Sequence, residues 1–356
     1  MVKCLRVEKG KAEAKRRELA GKGILDNRYA PARDSKFVFF PVKGAPPGMK
    51  LVEKKLARRE GRGEPFSAEL EAKLTPVERA ALVKSFDIVG DIAVVEVPLE
   101  LEGKEKLIAD AIMKQHRGIL VVAKKMGGTA GEFRIRPVEV IAGEKRTHTL
   151  YREGGCVFGL DLNKTYFSPR LGTERGRLCA LVKKGERVLV PFAGVGPFAI
   201  RMGKAMEKFQ RSFSDVAPRD ATKMGGAEVV GLELNPEACA FFRENIERNK
   251  CKNVRVVEGD VAALLPGKYN GWADRVAMPL PKDGRQFLAG IIPCLKKGGM
   301  LHYYSFGGME APFAEAERDV VEASAKLGRK ARVVFRRVVR PYSKTVEQVV
   351  VDAEIL

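Results

Sequence analysis

No apolar run in this 356-residue chain approaches the ~20 residues that span a bilayer. The N-terminus, Met1-Val2-Lys3-Cys4-Leu5-Arg6-Val7, has no apolar core of the kind that directs secretion. The expectation is a soluble chain with no membrane partner. Cysteine is sparse: six residues, at 4, 156, 179, 239, 251 and 294, none in a CxxC. That spacing excludes a disulfide framework and a cysteine-based metal site, and it fits a reducing, cytoplasmic compartment. The three histidines (His116, His148, His302) have no ligand spacing, so no metal is expected and they read as structural. The one tryptophan, Trp272, reads as packing. Acid is short against base, 45 Asp+Glu to 65 Lys+Arg, for a formal charge of +20. Such an excess favours a polyanionic partner, RNA, DNA or an acidic membrane surface, over a neutral one. A generally basic, solubilising surface is the plain alternative.

What is present divides the chain. Residues 1–60 carry 17 Lys+Arg against 7 Asp+Glu, about half of the whole excess, and read as a small basic binding module. The spacing predicts a helix over Lys11–Leu19 and a strand over Phe37–Val42. Gly44-Ala45-Pro46-Pro47-Gly48 reads as the start of a linker, Lys50–Glu71 as an exposed connection, and 61–84 as the linker between modules. Residues 85–155 predict a compact α+β module: two short strands around Val89-Gly90-Asp91, a helix over Lys104–Gln115, and strands over Ile119–Lys125 and Glu132–Gly143. From 156 to 356 apolar strands alternate with helical segments, with a polar insertion at 209–226. The fold class expected is α/β, a doubly wound, mostly parallel twisted sheet, preceded by two small α+β domains.

Three predicted strand ends carry the cofactor chemistry. The first strand runs into Phe192-Ala193-Gly194-Val195-Gly196-Pro197, a glycine turn that lets a ligand approach the backbone. The second ends at Glu233-Leu234, an acid placed for a ribose diol, and the third leads to Asp260-Val261, placed for an adenine amino group. Phe192, Ala193, Gly194, Gly196, Glu233, Leu234, Asp260 and Val261 are the candidate cofactor contacts. Helix caps and a tight turn would explain the same residues one at a time. There is no G-x-G-x-x-G and no G-K-[ST], so nothing cradles a phosphate, which suits a methylsulfonium ligand better than a dinucleotide.

Tyr166-Phe167-Ser168-Pro169-Arg170-Leu171-Gly172-Thr173-Glu174-Arg175, then Phe192–Pro197, closely resembles the archaeal and eukaryotic tRNA (guanine-N1) methyltransferases. The likeness continues through Leu234-Asn235-Pro236, Asp274–Met278 and Lys297-Gly298-Gly299, and covers nearly the whole chain. It implies a Rossmann-like class I methyltransferase domain using S-adenosyl-L-methionine on the guanosine 3′ of the tRNA anticodon, within the wybutosine pathway. No protein partner is implied, and a monomer is expected. Guanine N1 is protonated at neutral pH, so methylation needs a base for that proton and a cation for the charge on O6. By resemblance Glu174 is the base, Arg134 holds O6, Tyr166 lies near the pocket, and Pro279 and Pro281 border the target base. Arg170, Arg175 and Arg136 are the candidate substrate contacts. Arg134 on phosphate, Tyr166 in the core and Glu174 on a solvated helix face are the plain readings of the same residues.

Two positions depart from the family. Val190 stands where the family carries an acid before the Phe-Ala-Gly turn, and Pro279-Leu280-Pro281 where it carries Asn-Leu-Pro. Three rival readings follow: a dual-specificity enzyme acting also on a tricyclic wyosine precursor, an aminocarboxypropyl transferase on the same nucleotide, and a non-catalytic RNA-binding protein with a vestigial cofactor fold.

Overall fold

The computed structural model describes residues 1–9, 12–21, 23–26, 28–44, 51–56, 68–128, 131–211, 227–343 and 345–356. The basic module is a four-stranded antiparallel sheet in the order β2 (Ala32–Arg33), β3 (Phe37–Pro41), β1 (Val2–Glu8), β4 (Leu51–Lys54), with α1 (Ala12–Gly21) across it. Leu5, Leu19, Val38, Phe40 and Val42 make its core. β4 falls inside the stretch expected to be an exposed connection. It pairs with β1, Cys4 opposite Val52, because an unpaired edge of β1 would leave its amides without partners.

The expected linker at 61–84 also holds structure among its described residues. α2 (Ala68–Ala72) and α3 (Pro76–Ala81) bury Leu70, Leu74 and Leu82 against Ile108, Ile112 and Val122. α3 starts on a capping box. The Thr75 hydroxyl accepts from the Glu78 amide, and the Glu78 carboxylate accepts from the Thr75 amide. Residues 68–84 therefore pack with the middle module rather than standing apart from it. Its sheet, β5 (Asp87–Val89), β6 (Ile92–Val95), β7 (Val121–Lys125) and β8 (Val138–Gly143), packs on α4 (Glu105–Gln115). The expected strand from Glu132 starts only at Val138, since Pro137 offers no amide and Arg134 lies at φ +52°.

The boundary at 155 would cut a hairpin. β9 (His148–Glu153) pairs with β10 (Cys156–Asp161) as a two-stranded sheet of its own. Asn245 and Asn249 of α7 (Pro236–Arg248) and its cap treat β10 as a neighbouring strand would. Asn245 accepts from the Gly159 amide (2.6 Å) and donates to the Gly159 and Val195 carbonyls (3.0 and 3.1 Å). Asn249 does the same at Val157 (2.8 and 2.7 Å).

The C-terminal domain is a seven-stranded sheet. α5 (Gly172–Leu181) leads into β11 (Arg187–Pro191), followed by α6 (Pro197–Arg211), β12 (Glu228–Glu233), α7, β13 (Val254–Glu258), α8 (Val261–Leu264), β14 (Ala273–Met278), α9 (Leu288–Ile291), β15 (Leu295–Gly308), α10 (Ala314–Lys326), β16 (Ala331–Pro341) and β17 (Val346–Ile355). The order is β13-β12-β11-β14-β15-β17-β16; β11 to β15 run parallel and β17 against its neighbours. Leu189, Val230, Val276 and Leu301 face one apolar layer, Val188, Val190, Val229 and Tyr304 the other, as a sheet covered by helices on both faces requires. The helix expected over Gly284–Leu295 is broken into short turns around α9. Pro293 sits in the last of them and cannot extend a helix. Of the expected insertion at 209–226, α6 occupies residues to Arg211, and 212–226 lie outside the described residues.

Candidate active site

Strand order reverses between β11 and β14, and at such a point the loops beyond neighbouring strands diverge and open a crevice at the carboxyl ends. The expected cofactor residues fall there. Glu233 ends β12; one of its oxygens accepts from the Gly194 amide (2.7 Å), the other from the Asn235 amide (2.9 Å). Burial pushes its carboxyl above the ordinary value, against the pull of the Asn235, Gly194 and Leu234 amides. The carboxylate keeps acceptor capacity for a ribose hydroxyl.

The two glycines of the turn do different work. Gly194 has φ +55°, and a Cβ there would meet nothing nearer than the Tyr166 carbonyl, at 3.6 Å. Its open face suits a ligand against the backbone. Gly196 is needed for packing: a Cβ there would stand 2.2 Å from the Phe242 ring, and one at Gly231 2.3 Å. Phe192 adopts φ +59°, a left-handed conformation costly for a bulky residue, and packs edge-on against Phe287 at 4.7 Å. Ala193 and the Val261 side chain are core. Asp260 is exposed and caps α8 through the Ala262 amide (2.9 Å), leaving one oxygen uncommitted. Leu234 is half-buried. Open glycine, diol-ready acid and free carboxylate together fit an adenosyl sulfonium cofactor. Val190 is fully buried in the layer that holds Leu178, Phe198 and Tyr304, so at this position packing replaces the family's acid.

The residues expected on the substrate side come from two modules. Arg134, in the middle module, donates to the Lys282 carbonyl (2.7 Å) and pairs with Asp283 (3.1 Å). It therefore ends on the loop after β14 that holds the half-buried Pro279 and Pro281. Arg170 grips Asp87 of β5 through two bonds (2.7 and 3.1 Å), a second tie between the modules. Tyr166 is exposed, with its backbone against Gly194. Arg136 is exposed. Arg175 does not fit the expectation of a substrate contact: it is 1% exposed, and its guanidinium is spent on Glu153 and the Ser168 carbonyl. Arg201 shares Glu153 (2.5 Å). Burial works to raise the Glu153 carboxyl, but the two guanidinium groups outweigh it and hold it below its ordinary value. This knot binds the hairpin to α5 and α6 and so fixes the Tyr166–Leu171 segment.

Glu174 is not on a solvated face. It is 2% exposed, and its Oε1 accepts from Arg177 Nε and Nη2 (2.9 and 2.6 Å) and from the Tyr304 hydroxyl (2.8 Å). Its Oε2 is buried with no hydrogen-bond partner. Sequence reasoning missed Arg177, Tyr304 and Asp352, and gave His302 no role. These partners lie up to 175 positions apart in the chain, and no local pattern marks them. A cavity of about 690 Å³ lies elsewhere, between β5, the β9–β10 hairpin and α7. Of its two acids, Asp91 is taken by Arg146 and Thr149, and Glu244 pairs with Arg248 (3.7 Å). Among the described residues no cluster fit to hold a metal and no membrane-crossing helix occurs.

Comparison with known proteins agrees with this geometry. The TRM5/TYW2 methyltransferase domain matches residues 149–334, the TYW2 N-terminal domain 67–147, and the tRNA methyltransferase 5 N-terminal domain 4–50. The chain is 35% identical to the tRNA (guanine(37)-N(1))-methyltransferase Trm5b of Pyrococcus abyssi, over 100% of this chain and 99% of that one. It is 27% identical to the tRNA (guanine(37)-N(1))/4-demethylwyosine(37)-methyltransferase Taw22 of Nanoarchaeum equitans, over 68% of this chain and 90% of that one. Among solved structures it is similar to that Pyrococcus abyssi Trm5b (TM-score 0.69, 35% identity, 100% and 99% covered). It is also similar to aTrm5 in complex with tRNALeu (TM-score 0.67, 25% identity, 99% of each chain). Sheet order, glycine turn and matched domains leave one placement: the chain belongs to the TRM5/TYW2 methyltransferase family.

Proposed function

We propose that the protein transfers a methyl group from S-adenosyl-L-methionine to N1 of guanosine 37 in tRNA, acting as a monomer, with Glu174 as the base. The observation that carries the reading is Arg134. A middle-module arginine ends on the Pro279–Pro281 loop, at the same sheet edge as the Gly194 turn and Glu233. That brings a cation for O6 to the edge where the cofactor residues gather.

Gly194, Glu233, Leu234 and Asp260 would hold the cofactor, which supplies the methyl group when bound. Everything else falls to this chain. Arg134 steadies the charge that develops on O6 once N1 loses its proton. Glu174 accepts that proton. A buried carboxylate oxygen without a hydrogen-bond donor costs about 1–3 kcal/mol or more, which supports Oε2 as the atom that takes the proton. Oε2 is closed to solvent in the free protein, so docking of the guanine must uncover it. Tyr166, Pro279 and Pro281 would border the base, and Arg170 and Arg136 are the candidate RNA contacts. The basic N-terminal module adds phosphate contacts away from the anticodon.

The test is transfer of labelled methyl to unmodified tRNA followed by nucleoside mass spectrometry. 1-Methylguanosine is expected at position 37, and a Glu174→Gln variant should lose about 10²–10⁴ in rate. Full transfer by Glu174→Gln refutes the base. RNA binding with no cofactor heat in calorimetry would favour the vestigial reading. A second substrate, the 4-demethylwyosine precursor, is favoured by the match of residues 67–147 to the TYW2 N-terminal domain. Assay on that nucleotide decides it, and product mass separates methyl from aminocarboxypropyl transfer.

A further inference from the structure

Behind Glu174 stands a row of buried polar groups that the proposed chemistry has not used. Arg177 lies between two acids. Its Nε and Nη2 reach Glu174 Oε1, while Nη1 and Nη2 reach the two oxygens of Asp352 (2.5 and 3.1 Å). Asp352 is also bonded to His302 Nδ1 (2.6 Å), and His302 Nε2 faces Arg275 Nη1 (2.6 Å). An arginine N–H aimed at Nε2 needs a lone pair there, so the ring is neutral and its proton lies on Nδ1, donated to Asp352. Burial also pushes the His302 pKa down, and Asp352 only partly opposes this. Arg275 is anchored in turn by Glu186 (2.9 and 3.0 Å) and the Leu181 carbonyl (3.0 Å). The Arg177 guanidinium lies 4.8 Å from the centre of the Phe335 ring.

The other groups around Glu174 complete the inventory. Tyr304 of β15 donates to Oε1. Arg337 of β16, partly exposed, approaches Oε2 only to 3.9 Å, outside hydrogen-bond range. Counting the buried row, Glu174, Asp352 and Glu186 are negative, Arg177 and Arg275 positive, His302 and Tyr304 neutral. The row carries one net negative charge, and the partly exposed Arg337 guanidinium faces it across 3.9 Å at Glu174 Oε2. Without Asp352, Arg177 would be free to centre on Glu174 and take both oxygens in the paired geometry that guanidinium and carboxylate prefer.

We infer that Asp352, steadied by His302, is a positioning residue: it draws Arg177 onto Glu174 Oε1 alone and so leaves Oε2 as the atom that receives the N1 proton. In that step the N1–H bond breaks, an Oε2–H bond forms, and the N1 electron pair stays on nitrogen for the incoming methyl group. This rests on the reading of Glu174 as base and names what keeps it competent. No local sequence feature points to Asp352, which lies near the chain's C-terminus.

The experiment measures single-turnover methyl transfer to tRNA from pH 5 to 9 for Asp352→Asn, Asp352→Glu and Glu174→Gln. Cofactor affinity by calorimetry, tRNA affinity by filter binding and melting temperature are measured on the same proteins. Asp352→Asn is expected to slow transfer about 10- to 100-fold, a loss of transition-state stabilisation rather than of binding. Both affinities should stay within about threefold. The acid limb of its rate profile should move to lower pH, because removing a negative charge strengthens the hold of Arg177 on ionised Glu174. Asp352→Glu, which keeps the charge, should recover part of the rate and of the limb. An unmoved limb, or a rate loss no greater than the loss of folded protein, overturns the inference. If Glu174→Gln retains full transfer, the base assignment itself has failed. If Glu174→Gln is inactive while Asp352→Asn behaves as the parent, only the positioning role has failed. Should Asp352→Asn not fold, Arg177→Lys takes its place. Lysine presents a single ammonium, so the same slowing is expected, and parental transfer by Arg177→Lys, or its failure to fold too, overturns the inference.

Discussion

Replacing Gly196 and Gly194 separately by alanine separates packing from ligand approach within one glycine turn. At Gly196 a methyl group would sit 2.2 Å from Cδ2 and Cε2 of Phe242, on a backbone with φ +85°. Phe242 is fully buried between Gly196 and Gly231 and cannot retreat. The left-handed conformation costs about 1–2 kcal/mol for alanine, and overpacking a filled core adds about 1–3 kcal/mol. Gly196→Ala should therefore lose about 2–5 kcal/mol. Gly194→Ala pays only the backbone share, about 1–2 kcal/mol, because its new methyl meets nothing closer than 3.6 Å. That methyl instead occupies the face left open to the cofactor. Urea unfolding and calorimetric titration of S-adenosyl-L-methionine on the same proteins give the comparison. Gly194→Ala should bind the cofactor poorly while staying folded, and Gly196→Ala should bind in proportion to its folded fraction. Phe242→Leu added to Gly196→Ala should recover about 1–3 kcal/mol relative to the sum of the single changes, since the two side chains contend for one space. Additive effects, or equal stability of the two alanine variants, would refute the division of labour.

Asn245→Leu should cost about 2–4 kcal/mol in denaturant unfolding, because the Gly159 amide and carbonyl and the Val195 carbonyl would lose their partner inside the fold. Stability should fall as pH drops below about 6.5. The folded protein keeps His302 neutral while the unfolded chain takes a proton, which costs up to about 1.4 kcal/mol per pH unit. His302→Gln should flatten that slope in melting scans between pH 5 and 7.5, and an unchanged slope would discard the argument. Arg134→Ala should depress methyl transfer more than tRNA affinity; equal losses would place Arg134 on phosphate instead of the base. Log affinity for tRNA should fall linearly with log salt, and deleting the basic N-terminal module should lower that slope.

The sheet, and the turn and acids gathered at its carboxyl edge, were legible in the sequence. Buried strands of β-branched residues, the Phe192–Pro197 turn, and acids at the ends of β12 and β13 are local patterns, each readable within ten residues because strand, turn and cap chemistry act over that distance. The Tyr166–Arg175 run likewise carried the family. Only the tertiary structure decided what those residues touch. Gly194 and Gly196 look alike in the chain, and Phe242, 46 positions past Gly196, makes one of them a packing residue. Arg175 has the composition of an RNA contact, and its position beside Glu153 and Ser168 makes it a buried clamp. Of the linker expected at 61–84, the described residues form two short helices because Leu70, Leu74 and Leu82 had a core to enter. Glu174 gained its one-sided set of donors from Arg177 and Tyr304, and Asp352 fixes Arg177 from β17. A charge buried away from water must find its partner wherever the fold brings one, and sequence separation says nothing about where that will be.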